Sequence, residues 1–358
     1  MEDIQLFNFN IKSSVHDYRV TFVEDFSSSL KEQLKEGDVI IIDGKVKSLY
    51  RDRLEDSLAR QRHIVIEANE EQKSYLGVVP VIENLIENGF RKNHHLVAIG
   101  GGITQDVTAF TASIMYRGVK WIFFPTTLLA QGDSCIGSKT SINFGKYKNQ
   151  VGGFYPPHHI FIDLVFLDTL ADLEIKSGLG EMCHYFVVAG EDDFKRFKQE
   201  YSLARKDKNI LAGIIARSLE IKKRYIEIDE FDQNQRQVFN YGHSFGHALE
   251  TLTDYRVPHG IAVAYGMDMA NFISVKLKLI PEQVRFYIRE LLEEIWKDVP
   301  IDEISLDKFI TALKRDKKNV GSELRLILNQ GIGNIFKTGM KPDEQFCSWL
   351  EEYFKTQL

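Results

Sequence analysis

Between residues 38 and 163, short apolar runs alternate with helix-like stretches, and this alternation limits the fold more than any other feature of the chain. The runs are Asp38–Asp43 (DVIIID), His63–Glu67 (HIVIE), His95–Ile99 (HLVAI), Lys120–Phe124 (KWIFF) and His159–Asp163 (HIFID). Each is rich in β-branched or aromatic residues and too short to be a helix. Between them, stretches such as Tyr75–Asn88 place apolar residues three and four apart, the period of a helix face. Alternating strands and helices imply an open, largely parallel, Rossmann-like sheet with helices on its faces.

The pattern then changes. From about Leu170 the chain reads as successive helices over 176–190, 209–226, 240–253, 260–278, 281–295 and 306–315, with one strand-like piece at Leu324–Leu328. Pro281 and Pro300 mark helix boundaries. With 358 residues, one core is less economical than two. A boundary near residues 165–172 divides the chain into an α/β domain, 1–168, and an all-α domain, 169–358. A net charge of −6 supplies no pull toward nucleic acid or membrane, and no apolar run would span a bilayer. The N-terminus lacks a basic region followed by an apolar stretch, and the three cysteines show no metal-type spacing. Reduced thiols and a cytoplasmic location are therefore expected.

Several motifs carry chemistry. Gly100-Gly101-Gly102 follows the run HLVAI and precedes a helical stretch; such a turn lets backbone amides approach a pyrophosphate, although a tight structural bend reads equally well and the GxGxxG spacing is absent. Phe124-Pro125-Thr126-Thr127 ends another run in two hydroxyls, where an open parallel sheet collects ligands. Residues 131–149 hold Asp133, Ser134, Lys139, Thr140, Asn143, Lys146, Lys148 and Asn149 among small residues. Lysines and amides of this kind suit phosphate oxygens; a solvated basic loop is the plain alternative. In Asn240–His247 (NYGHSFGH), His243 and His247 lie one helical turn apart and suit a divalent ion. His259 in Pro258-His259-Gly260 and Glu181 in Gly178–His184 (GLGEMCH) are further candidate ligands. Lys222 and Arg236 flank the acidic stretch 227–232; they either pair with those acids or clamp a substrate carboxylate.

Taken in order, Glu70-x-x-Lys73, GGGITQDV, MYRGVKWIFFPTTLLAQGDS, GSKTSIN, YKNQVGGFYPP, FLDTL, SGLGEM, RQVFNYGHSFGHALE, PHGIAVAYGM and DKKN resemble 3-dehydroquinate synthase and its sugar-phosphate cyclase relatives over almost the whole chain. The resemblance implies an NAD-binding domain over 1–168 and a helical metal- and substrate-binding domain over 169–358. It makes Glu181, His243 and His259 the ligands of a divalent metal, zinc first and cobalt second. It sets NAD against Asp43, Glu70, Lys73, Gly101, Gly102, Asp106, Thr126, Thr127, Lys139, Lys148 and Thr169. Asp133, Lys139, Asn149, Asn240, His247 and Lys317 fall around the substrate phosphate and ring, and Lys222 and Arg236 on the substrate carboxylate. Arg117 would reach a neighbouring subunit of a homodimer.

The implied reaction takes a heptulosonate 7-phosphate (3-deoxy-D-arabino-heptulosonate 7-phosphate) to a carbocycle, as in the shikimate route to aromatic amino acids. It runs through transient oxidation by NAD, elimination of phosphate, reduction and intramolecular aldol closure, so the enzyme is a carbon–oxygen lyase. Three positions depart from the common pattern: His184 replaces a lysine three residues after Glu181, and Ser138 and Gln105 replace glycines. YPP at 155–157 is associated with cyclases of specialised metabolism, which act on sedoheptulose 7-phosphate, glucose 6-phosphate or an amino analogue. Metal-dependent alcohol and glycerol dehydrogenases share the two-domain architecture and form the more distant alternative.

Overall fold

The computed structural model describes residues 4–145, 147–301, 304–315 and 323–357, and the five apolar runs lie side by side in it. The chain runs β1 (Phe9–Ile11), β2 (Tyr18–Phe22), α1 (Phe26–Gln33), β3 (Val39–Asp43), α2 (Gly44–Leu49), α3 (Arg51–Arg60) and β4 (Arg62–Ile66). It continues with α4 (Tyr75–Glu87), β5 (Leu96–Gly100), α5 (Gly102–Ile114), β6 (Trp121–Pro125), β7 (Lys139–Phe144), β8 (Tyr147–Phe154) and β9 (His159–Ile162). Among the described residues, seven strands form one sheet in the order β1-β2-β9-β6-β5-β3-β4. Every pairing is parallel except β1 with β2.

The buried faces explain the composition of the runs. Every residue of β5 and β6 is buried, as a parallel strand covered on both faces requires. Ile40, Ile42, Val97, Ile99, Phe124 and Phe161 pack on one face with Phe26 and Leu30 of α1 and with Tyr50 and Leu54. The chain passes outward from β3 to β4, crosses back to β5 and then proceeds to β6 and β9. The sheet order therefore reverses between β3 and β5, the crevice where open α/β sheets hold ligands. Asp43 and Gly100 end those two strands.

The later elements are α6 (Asp172–Ala189), α7 (Glu191–Ala204), α8 (Lys208–Ile228), α9 (His243–Leu252) and α10 (His259–Lys276). They are followed by α11 (Glu282–Trp296), α12 (Leu306–Lys314), β10 (Leu324–Asn329), β11 (Ile335–Met340) and α13 (Glu344–Thr356). α10 is buried without a break from Gly260 to Ser274, the pattern of a helix surrounded by others. Buried Asp268 ties it to α11 and α13, accepting from Arg285, Arg289 and the Tyr353 hydroxyl. The strand-like piece at 324–328 is the first arm of the antiparallel hairpin β10–β11. The helix expected over 240–253 starts at His243, after a 3-10 turn over Gln235–Asn240.

The chain separates into two units: residues 1–170 with 208–231, and residues 171–207 with 232–358. This differs from a single cut at 168/169, because α8 goes with the first unit. There Ser218 donates to Gly132 O and Lys222 to both the carbonyl and the carboxylate of Asp133. No described helix is long and apolar enough to cross a membrane.

Candidate active site

In the second unit, α6, α9 and α10 meet backbone to backbone where their glycines lie. A Cβ on Gly260 would stand 1.8 Å from Ser177 O, and one on Gly180 2.5 Å from Gly260 O. A Cβ on Gly266 would stand 2.0 Å from Gly242 O. Only residues without a side chain allow these helices so close. Each glycine contact lies beside a candidate ligand: Gly180 precedes Glu181, Gly242 precedes His243 and Gly260 follows His259.

The three candidate ligands converge as a result. Ligand atoms of Glu181, His243 and His259 all lie within 4.8 Å of one another. His243 Nε2 is 3.3 Å from Glu181 Oε1, and His259 Nε2 is 3.4 Å from Glu181 Oε2. Glu181 is 3% exposed, and its Oε2 has no hydrogen-bond partner among the described residues. Burial pushes this carboxyl up, but the imidazoles of His243 and His259 outweigh it and hold Glu181 well below the usual carboxylate range. A buried carboxylate whose two oxygens each face an imidazole nitrogen, one of them without a donor among the described residues, is a donor set that a divalent cation fits.

The departure at 184 lies close by. His184 is 1% exposed, with its ring 3.9 Å from that of Tyr185 and 5.3 Å edge-on from that of His243. It stands beside the three-residue group rather than in it. His247 is exposed, with its ring 5.5 Å from those of His243 and His259. Arg236 is buried and Asn240 half-buried, and both lie in the 3-10 turn that leads to α9. Lys317 and the DKKN motif lie outside the described residues.

The expected nucleotide residues all lie in the first unit. The triple glycine ends β5 and opens α5, whose N-cap Gly101 provides no side-chain cap. A Cβ at Gly102 would meet nothing within 4 Å among the described residues, so open space adjoins this helix start, and the first amides of a helix suit a pyrophosphate. Thr126 and Thr127 follow β6, and Thr126 N donates to Gly100 O at 2.9 Å. Asp43 caps α2 through Lys45 N. Lys73 pairs with Asp106 at 2.6 Å and Lys148 with Glu70 at 2.9 Å. Thr169 Oγ1 lies 3.2 Å from the Tyr50 hydroxyl.

Lys139 and Asn149 lie on the hairpin β7–β8, both exposed, and Ser141 Oγ donates to Asn149 Oδ1. Lys222 is 6% exposed and pairs with Asp133 at 2.6 Å. Arg117 occupies a left-handed turn with φ 62, and it is exposed.

Three further side chains, given no role by the sequence, make notable contacts. Gln105 exchanges two hydrogen bonds with Ser134, at 2.6 Å to its carbonyl and 2.7 Å from its hydroxyl. Ser138, at φ 66, donates to Glu230 at 2.5 Å. Glu250 meets His259 Nδ1 at 3.1 Å; its signal was legible, since it lies three and seven residues after His247 and His243, on one face of α9.

The chain is similar to known proteins along most of its length. Residues 63–177 match the family model for the 3-dehydroquinate synthase N-terminal part, and residues 178–319 that for its C-terminal part. The chain is 36% identical to 3-dehydroquinate synthase of Syntrophotalea carbinolica over 318 residues, covering 86% of this chain and 88% of the relative. It is similar to a solved structure of 2-deoxy-scyllo-inosose synthase complexed with carbaglucose-6-phosphate, NAD+ and Co2+, with a TM-score of 0.87 and 25% identity. That likeness covers 98% of this chain and all of the other. ValA, a 2-epi-5-epi-valiolone synthase from Streptomyces hygroscopicus solved with NAD+ and Zn2+, shares the fold at a TM-score of 0.84 and 24% identity, covering 94% and 97% of the two chains.

Proposed function

The chain belongs to the 3-dehydroquinate synthase family, and we propose that it converts 3-deoxy-D-arabino-heptulosonate 7-phosphate to a carbocycle with loss of phosphate, using NAD and a divalent metal. The observation that carries the reading is the convergence of Glu181, His243 and His259, with one carboxylate oxygen that no donor among the described residues satisfies. When bound, the cation supplies Lewis-acid polarisation of a substrate oxygen, and NAD accepts and returns a hydride.

The chain's own residues do the rest. Glu181, His243 and His259 hold the cation. Gly101, Gly102, Thr126 and Thr127 receive the dinucleotide phosphates through backbone N–H groups and hydroxyls, with Asp43, Glu70, Lys73, Asp106, Lys148 and Thr169 around the remainder. Lys139 and Asn149 bind the substrate phosphate; a lysine charge there lowers the cost of the negative charge that grows as phosphate departs. Asp133 holds the Lys222 ammonium in place. Lys222 and Arg236 receive the substrate carboxylate, the guanidinium as a two-pronged donor. Asn240, His247 and Lys317 orient the ring hydroxyls. A homodimer in which Arg117 reaches the second subunit belongs to the same reading.

A second reading has an observation in its favour. His184 lies buried against His243 where the common family pattern has a lysine, and the chain is similar over 98% of its length to an enzyme solved with a carboxylate-free sugar-phosphate analogue. Phosphate release by the purified protein with NAD and zinc separates the two. Turnover of the heptulosonate 7-phosphate without net NADH, and none of sedoheptulose 7-phosphate or glucose 6-phosphate, is the expected result. Turnover of a neutral sugar phosphate alone would overturn the carboxylated substrate and leave Arg236 without its role.

A further inference from the structure

We propose that Glu250 is the positioning residue of His259: its carboxylate accepts the ring's Nδ1 proton and turns the Nε2 lone pair toward Glu181 and His243. The inference rests on the metal reading above and adds to it a residue outside the ligand set.

The two histidines solve the same problem differently. An imidazole that gives a lone pair to a cation carries its proton on the other nitrogen, and that proton needs an acceptor to fix ring and tautomer. For His243 the acceptor is backbone: Nδ1 lies 3.3 Å from Tyr241 O, in the turn that leads into the same helix. His259 is the first residue of α10, preceded by Pro258, and it is more exposed than His243, at 32% against 12% for the side chains. Its ring stands between two carboxylates, with Nδ1 3.1 Å from Glu250 Oε2 and Nε2 3.4 Å from Glu181 Oε2. Only one nitrogen of a neutral ring bears a proton. A cation shared with Glu181 takes the Nε2 lone pair, which leaves the proton on Nδ1 and makes Glu250 its acceptor.

Glu250 is built for this. Its side chain is 12% exposed, so the bond is only partly screened, and its helix is the one that carries His243. The rival assignment makes Glu250 a ligand, since atoms of His247, Glu250 and His259 also lie within 4.8 Å of one another. That arrangement would use the opposite nitrogen of His259, so metal stoichiometry tells the two apart.

The test is a competition titration of the chelator-stripped full chain with zinc, and with cobalt followed by its visible spectrum, for wild type, Glu250→Ala and Glu250→Gln. Wild type should bind one metal per chain. Glu250→Ala should still bind one, with affinity lowered about 10- to 100-fold and an altered cobalt spectrum. Glu250→Gln, whose amide oxygen can still accept from Nδ1 and whose shape is conserved, should recover part of that loss. Wild-type affinity in a folded Glu250→Ala protein, or no recovery in a folded Glu250→Gln, would overturn the positioning role. Two metals in wild type falling to one in Glu250→Ala would make Glu250 a ligand instead. No metal in wild type would overturn the metal reading itself.

Discussion

Ser138 shows how a single side chain replaces what a glycine would supply. Its φ of 66 lies in the left-handed region, which costs an L-residue about 1–2 kcal/mol. In return, its hydroxyl donates to Glu230, a 6% exposed carboxylate that also accepts from Ser13 Oγ and Ser14 N. The next residue is Lys139, so this bond anchors the backbone from which the lysine projects. A hydrogen bond to a charged group contributes about 1.5–3 kcal/mol. Ser138→Ala loses the bond and keeps the strain, whereas Ser138→Gly loses the bond and relieves it. Urea unfolding should therefore show Ser138→Ala destabilised by about 1–3 kcal/mol and Ser138→Gly by less; wild-type stability in Ser138→Ala would disprove the anchor, and Ser138→Gly less stable than Ser138→Ala would disprove the strain. The residue types at 138 and 105 were legible as departures from a pattern, but their partners, Glu230 and Ser134, lie 92 and 29 positions away along the chain. Nothing local in the sequence points to such partners.

The helices of the second unit owe their positions to close contact rather than to propensity. Gly260 permits α10 to lie on the backbone of α6 at Ser177, and its amide donates to the Ser177 hydroxyl. A methyl at Gly260 has no space, so Gly260→Ala must push α6 and α10 apart. That change should cost about 1–3 kcal/mol and weaken zinc binding as Glu181 and His259 separate. Wild-type zinc affinity in the folded variant would show that the glycine contact does not set the site. The positions of α6, α8, α9, α10, α11 and α12 were readable from their 3.6-residue period to within a few residues. The hairpin β7–β8 was not, because its strands are partly exposed and carry glycines and charges in place of an alternating apolar face. α7 was missed as well, although Phe194, Phe197, Tyr201 and Ala204 repeat at helical spacing along its buried face.

Across the whole chain, half-buried neutral histidines set a limit on acid stability. His158 stacks on His16 with ring centroids 3.8 Å apart, and burial together with the neighbouring His16 pushes it down to about 3. His159 is pushed down to about 4 by burial and Arg19. Both would return to the ordinary value of 6.5 on unfolding, so the unfolded chain binds more protons between those limits. Their contribution is complete above pH 6.5 and is lost as pH falls toward 3–4. The urea midpoint should accordingly drop between pH 7.5 and 5, and His158→Gln should flatten that drop; an unchanged slope would rule out His158 as a source. Strand runs, helix periods and motif order were present in the linear chain, because each depends on neighbours within a few residues; the expectation that Glu181, His243 and His259 hold a metal came from a pattern shared with a family. Tertiary structure alone decided that α8 joins the first unit and that Glu250 faces His259. It also decided that Glu181 keeps a buried oxygen without a donor among the described residues. Each of these depends on which distant side chains share a small volume, and such volumes are set by packing rather than by spacing along the chain.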